Sequence, residues 1–268
     1  MYAYEQNEKG IDFFMEEKSI NLLWMYPDML NLHGDRGNIL ALGKIAEKMG
    51  ITLNINKVER FNEKIDFESA DLIFFNPGEL KVALKVLDRL KDDIRELEKY
   101  IAANKYIIAI GTTGCIFGRD IERCGTLGQI KGLDFFDMHA KEREMVIGDD
   151  IYFSINDRQE IIGSQIHMLD FDVKESQALG EIKYGYGNNG TKSEGARINN
   201  LIFTNALGPV FVKNPWWAET LLNQIAKSKG IEPLDIPVEN YEIEIKSFNS
   251  IKELIDKKIS AESKKAGK

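Results

Sequence analysis

YIIAIGTTGC, residues 106–115, decides the fold of this 268-residue chain. Its first five residues are apolar and predict a buried strand, and the small residues from Gly111 onward predict a sharp turn into a helix. In many α/β enzymes such a turn carries the nucleophile, because a strained backbone lifts one side chain above the carboxyl edge of the sheet. Gly111 is the first residue after this strand and offers neither oxygen nor sulfur for attack. The stretch therefore predicts a catalytic scaffold that lacks its reactive atom.

Strands and helices alternate in the first half of the chain. Apolar runs bounded by turn residues predict strands at residues 21–26, 51–56 and 71–75. Helical spacing predicts a helix at 39–49 and one helix or two across 79–104. Because each strand is followed by a helix, we expect an α/β fold with a mostly parallel sheet and right-handed crossovers.

The second half of the chain has a different pattern. Short alternating runs separated by turn residues predict an antiparallel addition, with segments at 145–147, 151–155, 160–166 and 181–186. A last apolar strand is expected at 201–206, followed by a helix at 215–229 that has proline in its first turn and glycine after its end.

The chain is expected to divide into three parts. Residues 1–20 form an N-terminal extension, and residues 21–235 form one compact domain. Residues 236–268 are rich in Lys and Glu with few apolar positions, which predicts a peripheral C-terminal helix or a mobile tail.

Composition and charge exclude several classes of protein. No apolar run approaches the roughly 18 residues that a membrane helix needs, and the acidic start is unlike a signal peptide, so we expect a cytoplasmic protein. A net charge of -8 argues against a nucleic-acid partner. Two cysteines and three scattered histidines predict free thiols, no metal site and no cofactor.

Six short motifs are informative when they are taken together in their order along the chain. They are YPDMLN at 26–31, GDRGNI at 34–39, GSQIHM at 163–168, YGYGNN at 184–189, GP at 208–209 and KNP at 213–215. Together they resemble the class I glutamine amidotransferases of the cobyric-acid-synthase-like (CobB/CobQ-like) branch, and within it the GatD group, the glutaminase subunits of lipid II isoglutaminyl synthase. The resemblance implies a flavodoxin-like sheet flanked by helices.

The residues that carry the family's chemistry are replaced in this chain. In the family a cysteine at the elbow attacks the glutamine carboxamide, a histidine is the base, and backbone N–H groups hold the oxyanion. The resemblance places Gly111 at the cysteine position and Leu207 at the histidine position, and a glycine-rich turn becomes Asn76-Pro77-Gly78. Proline has no N–H to donate. We therefore expect a degenerate pocket, formed by Asn76, Pro77, Gly78, Gly111, Thr112, Cys115, His167 and Leu207.

These replacements predict a pseudoenzyme. The resemblance implies a GatD-like subunit that scaffolds or regulates a Mur-ligase-like (MurT-like) ATP-dependent partner in cell-wall precursor amidation. Two alternatives stay open. In the first, the chain is an active amidotransferase or hydrolase that supplies ammonia through Cys115, or through a threonine at 112 or 113. In the second, it is a binding module whose emptied pocket takes glutamine or a related small molecule. His167 is expected beside the site, either as a hydrogen-bonded packing residue or as a catalyst that cannot act alone. His33, Asp35 and Arg36 are expected to form a polar loop that binds a ligand or fixes the loop itself.

Overall fold

The computed structural model describes residues 18–125, 128–156 and 159–266. The predicted N-terminal extension at 1–20 lies outside these residues except for its last three, of which Ser19 and Ile20 already belong to the first strand. None of the described helices is both long enough and apolar enough to cross a membrane. The three-part division of the chain stays a prediction.

A six-stranded sheet forms the centre of the fold. Its strands are β1 (Ser19–Met25), β2 (Thr52–Val58), β3 (Leu72–Phe75), β4 (Tyr106–Ile110), β11 (Ala196–Ile198) and β12 (Leu201–Thr204). Their spatial order is β11-β12-β4-β3-β1-β2, and every neighbouring pair is parallel except β11 with β12. This order is flavodoxin-like, so the predicted mostly parallel α/β sheet is confirmed. In such sheets, ligands bind at the carboxyl ends of the strands.

Helices cover both faces of this sheet. They are α1 (Gly37–Lys48), α2 (Leu80–Asp92), α3 (Ile94–Ala102), α4 (Val210–Lys213) and α5 (Pro215–Ser228). The last helix of the described residues, α6 (Glu242–Ala266), packs elsewhere. One buried cluster joins the sheet to α1, α4 and α5, and a second joins it to α2 and α3. The segment at 79–104 is thus two helices, and Asp93 lies between them with its carboxylate paired to Arg89 at 2.6 Å.

The predicted antiparallel addition is confirmed as a second sheet. Its strands are β5 (Asp120–Glu122), β6 (Gln129–Lys131), β7 (Met138–Ile155), β8 (Gln159–Val173), β9 (Gly180–Tyr184) and β10 (Ser193–Glu194). The prediction of separate short strands at 145–147 and 151–155 was wrong, because both belong to β7, which pairs with β8 in a long hairpin. The register shifts between Glu142 and Ile147, and this bulge breaks the alternation that sequence patterns detect.

The C-terminal segment contains the helix α6. Phe248, Ile251 and Ile255 of α6 pack against Tyr152 of β7 in a small apolar cluster. Lys258 adds ion pairs of 2.9 Å to two neighbouring carboxylates on β7. Of the two predicted states of this segment, the structure has the helix, and its contacts hold it against the second sheet.

Candidate functional site

The elbow after β4 keeps the backbone shape of a nucleophile turn. Gly111 has φ of 60°, a left-handed conformation that glycine adopts without strain. The predicted helix that follows is a 3₁₀ helix, Gly111–Phe117. Thr113 closes its first turn, since its Oγ1 donates to the carbonyl of Ile110 at 2.9 Å and accepts the N–H of Ile110 at 3.2 Å. The turn is therefore present, and the residue at its start is a glycine, which has no side chain to react.

Two apolar side chains occupy the space above Gly111. A Cβ atom added at this glycine would lie 3.0 Å from Cδ2 of Leu207 and 3.2 Å from Cβ of Pro77. Leu207 is 1% exposed. The structure thus brings together Gly111, Leu207 and Pro77, the three positions at which the resemblance predicts replaced residues. All eight residues of the predicted pocket are buried, namely Asn76, Pro77, Gly78, Gly111, Thr112, Cys115, His167 and Leu207.

The turn after β3 offers no free N–H donor at Pro77 or Gly78. The N–H of Gly78 donates to Oγ1 of Thr112 at 3.1 Å, and the Thr112 hydroxyl donates back to the Gly78 carbonyl at 2.5 Å. Pro77 has no N–H. The Asn76 amide, oriented to satisfy both of its neighbours, accepts from Nε1 of Trp24 at 3.2 Å and donates to the carbonyl of Asp35 at 3.1 Å. These bonds stabilise the turn and leave no N–H of Pro77 or Gly78 for a ligand.

Cys115, the predicted fallback nucleophile, lies inside the core. It is 0% exposed, and burial raises the pKa of its thiol to about 12. The thiolate is the reactive form of cysteine, so a neutral buried thiol is inert. The hydroxyls of Thr112 and Thr113 are also buried, and both are bonded to backbone groups.

His167 packs under a loop of the second sheet. Its Nε2 lies 3.1 Å from Oε1 of Gln165, and its ring contacts Tyr186 edge-on with 5.3 Å between centroids. The same Gln165 oxygen accepts the N–H groups of Tyr186 at 3.0 Å and Gly187 at 3.3 Å. Burial lowers the pKa of His167. This histidine anchors the YGYGNN segment, as expected for a packing residue.

The polar loop after β1 separates into an exposed and a buried part. His33 and Arg36 are exposed, and Arg36 binds the Asp28 carboxylate at 2.5 Å. Asp35 is 0% exposed, with Oδ1 accepting from the N–H of Gly208 at 3.2 Å and from Nδ2 of Asn38 at 3.0 Å. Its Oδ2 has no hydrogen-bond partner among the described residues. Burial accordingly raises the pKa of Asp35 to about 7.

A second polar contact beside Gly208 was missed by the sequence analysis. Lys213 Nζ donates to Ser164 Oγ at 3.1 Å, and these residues are 49 positions apart. Both belong to segments that the sequence analysis singled out, GSQIHM and KNP. Nothing in either motif indicates that the two side chains meet, since this depends on how β8 packs beside α4.

A separate cleft lies elsewhere in the fold. It has a volume of about 650 Å³ and is lined by residues such as Lys64, Phe67, Tyr100 and Lys105, which precede β3 and β4. These strands begin at this edge of the sheet, whereas the elbow lies where they end. Between residues 18 and 266, as far as the structure describes them, no group of three or more His, Cys, Asp or Glu side chains could hold a metal ion.

The chain has the fold of the glutamine amidotransferases. A crystal structure of a glutamine amidotransferase superposes with a TM-score of 0.50 and 12% identity, covering 76% of this chain and 98% of that one. At this identity, the likeness concerns the fold alone. No family model matches the chain.

In sequence, the chain is similar to GatD subunits. It is 29% identical over 231 residues to the lipid II isoglutaminyl synthase (glutamine-hydrolyzing) subunit GatD of Staphylococcus aureus, which covers 78% of this chain and 86% of the relative. The GatD subunit of Streptococcus pneumoniae is 26% identical over 223 residues, covering 81% of this chain and 85% of the relative. The predicted resemblance is thereby confirmed.

Proposed function

We propose that the chain is a catalytically degenerate GatD-like subunit that scaffolds or regulates a Mur-ligase-like (MurT-like) partner. The proposal extends to the amidation of a cell-wall precursor, because both curated relatives are named as subunits of lipid II isoglutaminyl synthase. The observation that carries it is the closure of the elbow, where Leu207 and Pro77 fill the space that a nucleophile's side chain would need above Gly111.

The expected loss of activity is large. Removing a nucleophile or its base alone costs on the order of a millionfold in turnover in a well-studied hydrolase, and the remaining rate depends on the oxyanion hole and substrate binding. Here neither Gly111 nor Leu207 can supply the missing group, and the N–H of Gly78 is bonded to Thr112. The nucleophile, the base and the oxyanion hole are therefore all impaired.

The structure also gives reasons against the two alternatives. An active enzyme that uses Cys115 needs a thiolate within reach of substrate, and this thiol is fully buried with a raised pKa. A binding module needs room at the elbow, and Leu207 and Pro77 lie within 3.2 Å of the position that a Cβ atom at Gly111 would take. A scaffold needs a stable fold and a surface for its partner, but no reactive side chain. The packed centre supplies the stable fold.

The test is a reconstitution with a Mur-ligase-like protein, by preference one from a neighbouring reading frame. We expect the two chains to co-elute in size-exclusion chromatography. With ATP and a muropeptide acceptor, we expect the complex to use ammonium chloride but not glutamine as its nitrogen source. The chain alone, or in the complex, should release no ammonia from glutamine.

Two controls make the result specific. A functional GatD in place of this chain should support glutamine-dependent amidation in the same assay. Ammonia release by this chain that disappears in Cys115→Ala would reject the proposal and support the buried thiol as nucleophile. A thermal shift with millimolar glutamine, without ammonia release or partner binding, would instead favour the binding module.

A further inference from the structure

Ser164 and Lys213 form a pair of side chains that the proposed function does not use. The ammonium nitrogen of Lys213, at the end of α4, donates to the hydroxyl of Ser164, on β8, at 3.1 Å. We propose that this pair is a nucleophile and its base, with Ser164 Oγ attacking the carbonyl carbon of an acyl substrate, an ester or an amide. Serine–lysine pairs are an established variant of the nucleophile–base arrangement.

The environment of Lys213 favours the neutral amine, which can act as a base, over a charged ammonium that forms an ion pair. It is half-buried, and no carboxylate oxygen of the described residues lies within 4.0 Å of its Nζ. Burial lowers the pKa of Lys213, while the more distant carboxylates of Asp150 and Asp35 oppose this effect. Asp150 is itself paired with Lys258 at 2.9 Å. Desolvation therefore dominates, and it increases the fraction of neutral amine that can accept a proton.

Ser164 is held rigidly next to the former catalytic centre. Its N–H donates to the carbonyl of Leu207 at 3.1 Å, and the N–H of Leu207 donates to the carbonyl of Ser164 at 2.7 Å. This two-bond bridge fixes Ser164 beside the position that the family resemblance gives to the histidine base. A nucleophile held on a strand by paired backbone bonds loses little entropy when it attacks.

Gly208 leaves the pair accessible on one side. Its φ is 78°, and a Cβ atom added there would lie 3.5 Å from Lys213 Nζ and 3.6 Å from Ser164 Oγ. Because this position has no side chain, the space is open to an atom of a substrate. Gly208, Ser164 and Lys213 are all partly exposed, in contrast to the closed elbow at Gly111.

The chemistry of the pair balances without a metal or a redox partner. The bond between Ser164 Oγ and the carbonyl carbon forms while the neutral amine of Lys213 takes the hydroxyl proton. The bond from that carbon to the leaving amine or alcohol then breaks, and the leaving group takes the proton from the Lys213 ammonium. Water attacks the resulting acyl ester with the same base, which releases the acid and restores Ser164.

The test uses the full chain and an alkyl fluorophosphonate probe. Ser164 Oγ should displace fluoride at phosphorus, with its proton passing to Lys213, so that intact-mass spectrometry records one adduct and peptide mapping places it on Ser164. The labelling rate should rise with pH as Lys213 loses its proton. In Lys213→Arg, which keeps the charge but is not a base at neutral pH, we expect the rate to fall by about 100-fold or more.

The controls separate a reactive serine from an exposed one. Ser250 lies exposed on α6, where its hydroxyl donates to the carbonyl of Lys246, so equal labelling there would mean nonspecific reaction and overturn the proposal. An absence of adduct on Ser164 in the folded chain, or a wild-type rate in Lys213→Arg, would overturn it as well. Ser164→Ala should give no adduct, and if that variant does not fold, mapping of the unsubstituted chain still decides. Because glutamine hydrolysis is not measured, this result is independent of the proposed function.

Discussion

Restoring a cysteine at the elbow is expected to destabilise the protein unless Leu207 is made smaller. In Gly111→Cys, a non-glycine residue at φ of 60° costs about 1–2 kcal/mol. The new Cβ would lie 3.0 Å from Leu207 and 3.2 Å from Pro77, and such overpacking costs about 1–3 kcal/mol more. Leu207→Ala alone should cost about 2–5 kcal/mol through the cavity that it leaves.

In the double variant, the cysteine occupies part of that cavity. The overpacking is relieved there. The sum of the stability losses of the two single variants should therefore exceed the loss measured for the double variant by about 1–3 kcal/mol. Urea unfolding followed by the fluorescence of the three tryptophans gives the four free energies of unfolding. Gly230→Cys is the matched control, because Gly230 has φ of 72° and no atom within 4 Å of an added Cβ, so only the backbone cost of about 1–2 kcal/mol remains. Additivity of the two elbow substitutions within about 0.5 kcal/mol would refute the account of a filled centre.

Three further outcomes are expected. Because burial raises the pKa of Asp35 to about 7, its contribution to the free energy of unfolding is present at low pH and is lost as the pH rises from about 4 to about 7, by up to about 4 kcal/mol. Urea unfolding across this pH range should show the decline in the free energy of unfolding. Asp35→Asn should flatten that decline. Alkylation under native conditions should modify the partly exposed Cys124 and spare the buried Cys115, and rapid labelling of Cys115 in the folded chain would contradict the burial argument. Phe248→Ala should lower the free energy of unfolding by about 1–3 kcal/mol, since the ring makes edge contacts with two aromatic side chains worth about 0.5–1.5 kcal/mol each; an unchanged urea midpoint would mean that α6 does not pack as described.

The sequence by itself determined the parallel strands of the central sheet and the glycine that directly follows β4. Strands such as β4 are buried on both faces and therefore consist of continuous apolar runs, which a local pattern detects directly. That Gly111 offers no oxygen or sulfur for attack follows from the residue type at one position, and no contact is needed to recognise it. For the same reason, the order of the motifs along the chain was enough to indicate the glutamine amidotransferase fold.

Only the tertiary structure decided which side chains pack around Gly111 and which side chains meet beside it. Strand β7 was divided in the prediction because many of its residues face solvent and a bulge interrupts its alternation. The contacts of Leu207 and Pro77 over Gly111, and that of Lys213 with Ser164, join residues from 34 to 96 positions apart. Local periodicity reports which face of an element is apolar, but the partner across the interface is set by packing between elements that are distant along the chain.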